Sequence, residues 1–486
     1  MNMTFSQLMP LAPVLIVSLT SVLVMLLVAI KRHHALIATT TVLGLNAALL
    51  MIIWQVSQPT GGPAQVTSLF MVDGFALFYM AIVLVAALAC TTLAHAYIDS
   101  YKNNREELYI LLLIAVTGAM LLGASQNLSS FFIALELLSV PTYGLLAYTH
   151  ERSQSLESGI KYMVLSATAS AAMLMGMAFL YAYTGSLDFH QLGLGVIQSM
   201  HNPLVVVGLA LVLFALAFKL SLVPFHGWTP DVYQGAPSPI ATFLATVSKV
   251  AVLAVFLRFM LVSAGLALEG MQTVVTIIAV LSIVIGNLLA VRQVNIKRLL
   301  GYSSIAHFGY VLVALLSLGT GSLGTISIYV IAYVLTTLGA FGVVALMSSP
   351  YNGTEAESLA DYRGLFWRRP VLTAVLTVMM LSLAGIPLTA GFIGKFFVIL
   401  AAVQAQNWFL SGMVVLGSAI GLYYYLRVMV VLYMTPPDQP AFNPQSHWGT
   451  RAGGVMVLLV SLLVLLLGVY PEPMIRLAAM AQLVVN

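Results

Sequence analysis

The sequence predicts an all-α, polytopic membrane protein with about fourteen transmembrane helices. Its composition is the first observation, because 61% of the 486 residues are hydrophobic and 7% are charged, whereas soluble domains carry about 25% charged residues. The second is a series of apolar runs near the roughly 20 residues that cross a bilayer, separated by polar or Gly/Pro breaks. The runs lie near residues 10–30, 35–56, 73–95, 107–124, 128–149, 159–183, 203–226, 238–262, 272–292, 300–318, 324–347, 370–399, 408–434 and 452–470.

The distribution of basic residues supports the same topology. Twelve Lys and Arg residues fall in odd-numbered loops, against two on the other side, Arg258 and Arg476. Because cytoplasmic loops are enriched in Lys and Arg, an even number of helices places both termini on the periplasmic side of a bacterial inner membrane. The twelve are Lys31, Arg32, Lys102, Arg105, Arg152, Arg292, Lys297, Arg298, Arg363, Arg368, Arg369 and Arg451.

Composition and motifs also exclude several functions. The net charge of +4 is spread along the chain and forms no basic patch, so no nucleic-acid partner is expected. The single cysteine, Cys90, cannot form an internal disulfide, a Cys-ligated iron–sulfur cluster or a structural zinc site. The sequence has no phosphate-binding loop and no nucleophile triad. We therefore expect no cofactor or metal in this chain, and the lipid bilayer as its surroundings.

The stretch after the apolar run 204–218 is the most informative. It begins with Lys219, and Pro224 follows five residues later. A lysine at the centre of a spanning helix costs about 2.5–3.5 kcal/mol, so Lys219 is expected to face the protein interior or water and to find a partner there. Pro224 interrupts the helix, which is tolerated at membrane depth only where protein or water satisfies the freed backbone groups. The alternative is an interfacial lysine beside a kink.

Four charged residues predict a proton relay. Glu136 is the carboxylate deep in a predicted span, and Lys219 is its expected partner. Each favours the charged form of the other, so moving Glu136 would switch the protonation of Lys219. Lys249 and Lys395 have no carboxylate in their own spans. A desolvated lysine can lose and regain a proton, and a row of them in a hydrated channel predicts a proton path.

Four further residues are weaker candidates for the relay. Lys161 could connect the lysines of the seventh and eighth spans, or it could be an interfacial lysine. His226 and His307 titrate near neutral pH, although a packing histidine is the commoner case. Lys297 is interpreted as both a topology signal and a candidate channel mouth.

A weak internal repeat predicts the organisation of the chain. The seventh span carries Lys219 and Pro224, and the twelfth carries Pro387 and Lys395. An offset of five helices reverses orientation, which predicts two inverted five-helix repeats with helices 7 and 12 broken. The predicted segments are residues 1–106 for helices 1–3, 107–262 for the first repeat (helices 4–8), 272–434 for the second repeat (helices 9–13) and 435–486 for helix 14.

Together these residues resemble the antiporter-like, proton-translocating subunits of respiratory complex I, the bacterial NADH–quinone oxidoreductase. Residues 219–239, 295–310 and 381–396 carry most of the resemblance, which extends over nearly the whole chain. The resemblance implies a fourteen-helix subunit of the membrane arm. The central charged residues of that family fall on Glu136, Lys219, Lys249 and Lys395.

Two features favour the N-type (ND2-type) branch of that family. M-type relatives carry glutamate at the position of Lys395, and L-type relatives carry a long C-terminal lateral helix, whereas this chain ends about fifteen residues after its last run. In the family, quinone reduction elsewhere in the complex drives proton pumping. The resemblance therefore implies NADH, FMN, iron–sulfur clusters and quinone in partner subunits, and M-type and K-type subunits as neighbours.

A second interpretation is an antiporter that exchanges cations for protons, as a subunit of a multi-subunit complex or alone. It predicts exchange of Na⁺ or K⁺ without NADH, whereas the complex I interpretation predicts no activity from the isolated subunit. A solute permease is disfavoured, because polar residues that could bind a substrate are scarce in the spans.

Overall fold

The spans lie where the apolar runs predict them. In the part of the chain that the computed structural model describes, twelve helices are long and apolar enough to cross a membrane. Two further spans, the seventh and the twelfth in chain order, are broken and are described in the next paragraph. The twelve long helices are therefore spans 1–6, 8–11, 13 and 14. Their bounds are Met9–Ile30, His34–Ser57, Gly74–Ile98, Glu107–Ala124, Leu128–Leu146, Ser153–Thr184, Ser238–Val262, Glu269–Val291, Ile296–Ser317, Leu323–Met347, Trp408–Tyr433 and Ala452–Val469. The structure describes residues 5–58, 64–99, 101, 104–198, 202–263, 265, 268–348, 355–436 and 452–484.

The seventh and twelfth spans are each built from two short helices, which completes the fourteen predicted spans. The seventh comprises Pro203–Lys219 and Trp228–Gly235, and the twelfth comprises Pro370–Ala384 and Ala390–Gln404. Both predicted breaks are confirmed, and each contains a proline. In the seventh span the interruption lies within the predicted run 203–226. Its first helix ends at Lys219, because the backbone turns at Ser221, whose φ is 62°.

The eighth span has a second kind of irregularity. It begins as the α-helix Ser238–Phe243, widens into the π-helical turn Leu244–Ser248 and continues as the α-helix Lys249–Val262. A π turn inside an α-helix is rare and occurs frequently at functional sites. This span is buried along its whole length, and the tenth and eleventh spans are mostly buried. Lys249 therefore follows a backbone irregularity at the centre of the bundle.

Short elements that the apolar pattern does not predict connect the spans. A two-stranded hairpin pairs Ala64–Gln65 with Met71–Val72 before the third span. The helix Phe189–Gln198 follows the sixth span, and Glu472–Ala479 follows the fourteenth. The remaining short helices are Phe5–Leu8, Met9–Leu11, Gly319–Ser322, Leu359–Tyr362 and Leu365–Arg368.

A buried ion pair between Arg258 and Asp73 lies at the end of the bundle opposite the basic loops. Two nitrogens of Arg258 donate to the two carboxylate oxygens of Asp73 at 2.6 and 3.1 Å, and its Nε donates to the carbonyl of Gly123 at 3.1 Å. Asp73 also accepts from the N–H of Ala76 at 2.8 Å, as the N-cap of the third span. Arg258, an exception to the loop-charge pattern, is therefore a structural cation.

Some parts of the predicted topology stay predictions. The two broken spans are five positions apart, as the internal repeat predicts, but the inverted relation between the repeats and the four segment boundaries remain predictions. Two of the twelve loop cations, Lys102 and Arg451, lie outside the described residues.

Candidate functional site

Glu136 and Lys219 each bind serine hydroxyls instead of forming a direct ion pair. Ser170 Oγ donates to Glu136 Oε1 at 2.5 Å. Lys219 Nζ donates to Ser139 Oγ and to Ser166 Oγ, both at 2.6 Å. Although both residues are described, they do not form an ion pair within 4.0 Å. The expected direct contact between these predicted partners is absent in this conformation.

The end of a helix favours the charge of Lys219. This lysine is the last residue of Pro203–Lys219 and is only 4% exposed. The C-terminus of a helix carries a partial negative charge, which stabilises a nearby cation. The Tyr162 ring lies 5.7 Å from Lys219 Nζ. A polar aromatic side chain of the sixth span thus lies beside Lys219.

Lys249 is the most enclosed of the four principal relay candidates. It is 1% exposed, and its Nζ donates to Ser304 Oγ at 2.8 Å. The rings of Phe308 and Tyr233 lie 5.0 and 5.8 Å from the ammonium. Within the described residues it forms no ion pair with a carboxylate, as the sequence predicts. The groups that stabilise its positive charge are one hydroxyl and the faces of two aromatic rings.

His307 lies between Lys249 and Lys395. It follows Ser304 by three residues on the tenth span, which places both on one helix face. Its Nδ1 is 2.5 Å from the hydroxyl of Tyr329 and its Nε2 is 3.2 Å from the hydroxyl of Tyr425. Its ring centroid is also 5.7 Å from that of Tyr310. This position fits the predicted relay role better than a purely apolar environment would.

The break in the twelfth span holds Lys395. Its Nζ donates to the carbonyls of Leu383 and Ala384 at 2.9 and 3.0 Å, at the end of Pro370–Ala384. These carbonyls are free because the helix stops there, and the helix dipole adds negative potential. The Tyr310 ring lies 5.4 Å from the ammonium. The ammonium groups of Lys219 and Lys395 thus lie at helix C-termini, and Lys249 follows a π turn.

Two of the weaker candidates lie in ion pairs. The side chain of Lys161 is 44% exposed and pairs with Glu157 at 2.7 Å and with Asp231 at 3.4 Å. This exposure favours the interfacial alternative, and the role of Lys161 as a connector between buried lysines stays a prediction without a supporting contact. Lys297 is fully buried and pairs with Glu355. Its role as a channel mouth also stays a prediction.

His226 lies in the break of the seventh span. Its ring is half-buried, and it forms no hydrogen bond with another side chain in the described part of the chain. The structure does not bring it into contact with the serines that hold Lys219. Its relay role remains a prediction without a supporting contact.

A buried cluster of charges around Glu355 is the largest feature that the sequence does not predict. The Glu355 carboxylate is fully buried and pairs with Lys297 and, at 2.9 Å, with Arg152. It also accepts from the hydroxyls of Ser238, at 2.8 Å, and Tyr97. These partners come from the third span, the loop before the sixth span, and the starts of the eighth and tenth spans. Glu355 thus links four segments at the end of the bundle that carries the basic loops.

The two cations determine the protonation of Glu355. Burial alone would raise the pKa of this carboxyl, but the charges of Lys297 and Arg152 outweigh burial and hold the pKa below its ordinary value. Glu355 is therefore ionised at neutral pH and belongs to the structural ion pairs. Matching loop acids to loop bases on the same predicted face would have revealed it.

The sequence also does not predict several other residues that contribute to the site. The serines that hold Glu136 and Lys219 are inconspicuous in apolar runs, although their spacing of three or four residues is a helical signal. Arg427, which the sequence could only place inside a span, caps the ninth span by donating to the carbonyls of Val291, at 2.7 Å, and Gln293. Among the described residues, no group of three or more His, Cys, Asp or Glu could hold a metal ion.

Comparison with known proteins identifies the family. A family model described as NADH:quinone oxidoreductase/Mrp antiporter, TM, matches residues 125–421. The chain is 65% identical over 486 residues to NADH-quinone oxidoreductase subunit N of Acinetobacter baumannii (strain AB0057), covering 99% of this chain and 98% of that relative. The chain belongs to the NADH-quinone oxidoreductase subunit N family. This confirms the N-type branch that the sequence favours.

Solved structures agree with membership of the subunit N family. A chain of respiratory complex I from Thermus thermophilus is 34% identical, with a TM-score of 0.81 over 96% of this chain and 99% of that one. A chain of the Mrp complex from Dietzia sp. DQ12-45-1b has a TM-score of 0.85 at 22% identity, over 97% of this chain and 96% of that one. At that identity the second likeness shows a shared fold alone.

Proposed function

We propose that this chain is the proton-translocating membrane-arm subunit of a bacterial NADH:quinone oxidoreductase. Membership of the subunit N family supports the complex, and the observation that carries the mechanism is the series of buried lysines at helix irregularities. The chain has no evident redox site. NADH, FMN, iron–sulfur clusters and quinone would act in partner subunits, and quinone reduction there would drive proton movement here.

The proposed path runs across the centre of the bundle. It would begin at Glu136 and Lys219, pass Tyr162 to Lys249, and continue through His307 to Lys395. A lysine buried without a carboxylate can lose a proton because its charged form is poorly solvated. The free carbonyls and hydroxyls at each helix irregularity can stabilise the charge when the proton returns.

The proposal extends to topology and neighbours. The basic loops support a cytoplasmic location for the end of the bundle that contains Glu355, and therefore periplasmic termini in the inner membrane. The N-type features support M-type and K-type subunits of the membrane arm as neighbours. Residues 107–262 and 272–434 are proposed as the two inverted repeats.

The alternative is a subunit of a cation/proton antiporter complex, a class that the description of the matching family model also includes. Copurification distinguishes the two functions. A C-terminal affinity tag, gentle solubilisation and an assay of NADH:quinone reductase activity in the purified fraction should show that the activity copurifies. A tagged protein that lacks this activity and supports Na⁺ or K⁺ exchange in vesicles would contradict the proposal and favour the antiporter.

A further inference from the structure

Three serine hydroxyls contact the two charged residues at the start of the proposed path. We propose that Ser139, Ser166 and Ser170 are positioning residues that hold Glu136 and Lys219 apart in one state of the relay. In a second state, Lys219 leaves its hydroxyl partners and pairs directly with Glu136. This inference rests on the proposed function, because it concerns the same relay.

The placement of the serines follows from helix geometry. Glu136 and Ser139 are three residues apart on the fifth span, and Ser166 and Ser170 are four apart on the sixth, so each pair lies on one helix face. Four residues correspond to a rise of about 6 Å. Ser170 therefore reaches the Glu136 carboxylate, and Ser166 reaches the Lys219 ammonium at the end of the first helix of the seventh span.

The hydrogen bonds of Ser139 and Ser166 suit a role in holding the Lys219 ammonium in place. Ser139 accepts from Lys219 and donates to the carbonyl of Leu135 at 2.7 Å. Ser166 accepts from Lys219 and shares a hydrogen bond of 2.8 Å with the hydroxyl of Tyr143. A hydroxyl has one donor and two acceptor positions, and an ammonium has three donors. Neutral hydroxyls thus bind the ammonium, and no carboxylate compensates its charge in this arrangement.

Neighbouring hydroxyls show that these contacts are not a general property of the two spans. Thr168 donates to the carbonyl of Val164 at 2.9 Å, and Thr142 donates to the carbonyl of Leu138 at 2.6 Å. Such bonds return to the helix that carries the hydroxyl and are common in apolar helices. Ser166 and Ser170 instead reach across to side chains of other spans.

The energetic consequence is a balance between two arrangements. Removing a hydroxyl that binds a charged group shifts the balance between the held and the directly paired arrangement by about tenfold or more towards the pair. A permanent pair would keep Lys219 protonated and stop the switch. The serines therefore keep both arrangements accessible.

Proton pumping in the assembled complex tests this inference. Inverted membrane vesicles with the Ser139→Ala/Ser166→Ala double variant should pump fewer protons per NADH oxidised, while subunit content stays at the wild-type level. The Ser139→Thr/Ser166→Thr variant keeps both hydroxyls and should recover the ratio, which a purely structural role would not require. Thr168→Ala is the matched control, because it removes a hydroxyl of the sixth span that contacts only its own helix.

The outcomes separate this inference from the proposed function. If Lys219→Ala lowers the ratio but the double alanine variant keeps the wild-type ratio, the serines are not positioning residues. The same conclusion follows if the threonine variant is as defective as the alanine variant. If Lys219→Ala itself pumps at the wild-type ratio, the relay of the proposed function fails and the serine inference fails with it.

Discussion

Proton transfer through this subunit should slow by about a hundredfold when Lys219 is replaced by alanine, as expected for loss of a group that carries a proton. The variant removes the charge that Ser139 and Ser166 hold. Its small side chain fits the space, so the complex should still assemble and oxidise NADH through other subunits. NADH-driven acidification of inverted vesicles, followed with a pH-sensitive dye and divided by the NADH oxidation rate, measures the effect.

Lys161→Ala is the matched control for this prediction. It removes a lysine from the adjacent span, but that lysine is exposed and paired with Glu157 and Asp231. We expect its pumping ratio to stay close to wild type, because surface ion pairs contribute little and the side chain lies outside the proposed path. Equal defects in the two variants would show that the loss of any lysine in this region disturbs pumping.

Glu355→Gln should destabilise the subunit by about 3–5 kcal/mol, because it leaves two buried cations with reduced compensation. The glutamine keeps the shape of the side chain and can still form hydrogen bonds with Ser238 and Tyr97. The loss of stability therefore measures mainly the loss of the negative charge of Glu355. The midpoint of heat or denaturant unfolding of the purified complex, followed through retention of this subunit, measures the change. We expect subunit content in membranes to fall as well.

Glu472→Gln provides the control for Glu355→Gln. It breaks an exposed pair with Arg476 in which both side chains are largely open to solvent, and such pairs contribute about 0–1 kcal/mol. A destabilisation by Glu355→Gln no larger than that of the control would contradict the structural role of the buried cluster.

The pH dependence of stability provides a second measure of the same cluster. Because Lys297 and Arg152 outweigh burial and lower the pKa of Glu355, the unfolded chain takes up this proton at a higher pH than the folded chain. The stabilisation is complete above the ordinary value of 4.5, and it is lost as the pH falls through the folded-state pKa. Wild-type protein should lose stability below that value more steeply than Glu355→Gln.

The sequence predicts the spans and breaks because hydrophobic length and proline act locally. Lys219 and Pro224 indicate an interruption wherever the neighbouring helices lie, and the structure contains one. The serine contacts are different, since they depend on the rotation of the fifth and sixth spans relative to each other. Ser139 in an apolar run predicts nothing until the residue across from it is known.

Glu355 illustrates a second reason for incomplete prediction. It lies in a loop, where acids are usually solvated, and burial of that loop against four other segments is a tertiary effect. The exposure of Lys161 has a similar origin, since the sixth span begins at Ser153 and carries Lys161 on its outer face beside Glu157. Hydropathy indicates that such a residue lies near a helix end but not which way it faces.

The proposed path crosses from the first set of spans to the second at Lys249, so this residue offers the most direct test. Lys249→Arg keeps a positive charge, but a guanidinium remains protonated in proteins. The measurement is the number of protons pumped per NADH oxidised by vesicles that contain normal amounts of assembled complex. A path that needs Lys249 to release its proton predicts that this ratio falls. A wild-type ratio in Lys249→Arg vesicles would contradict the relay.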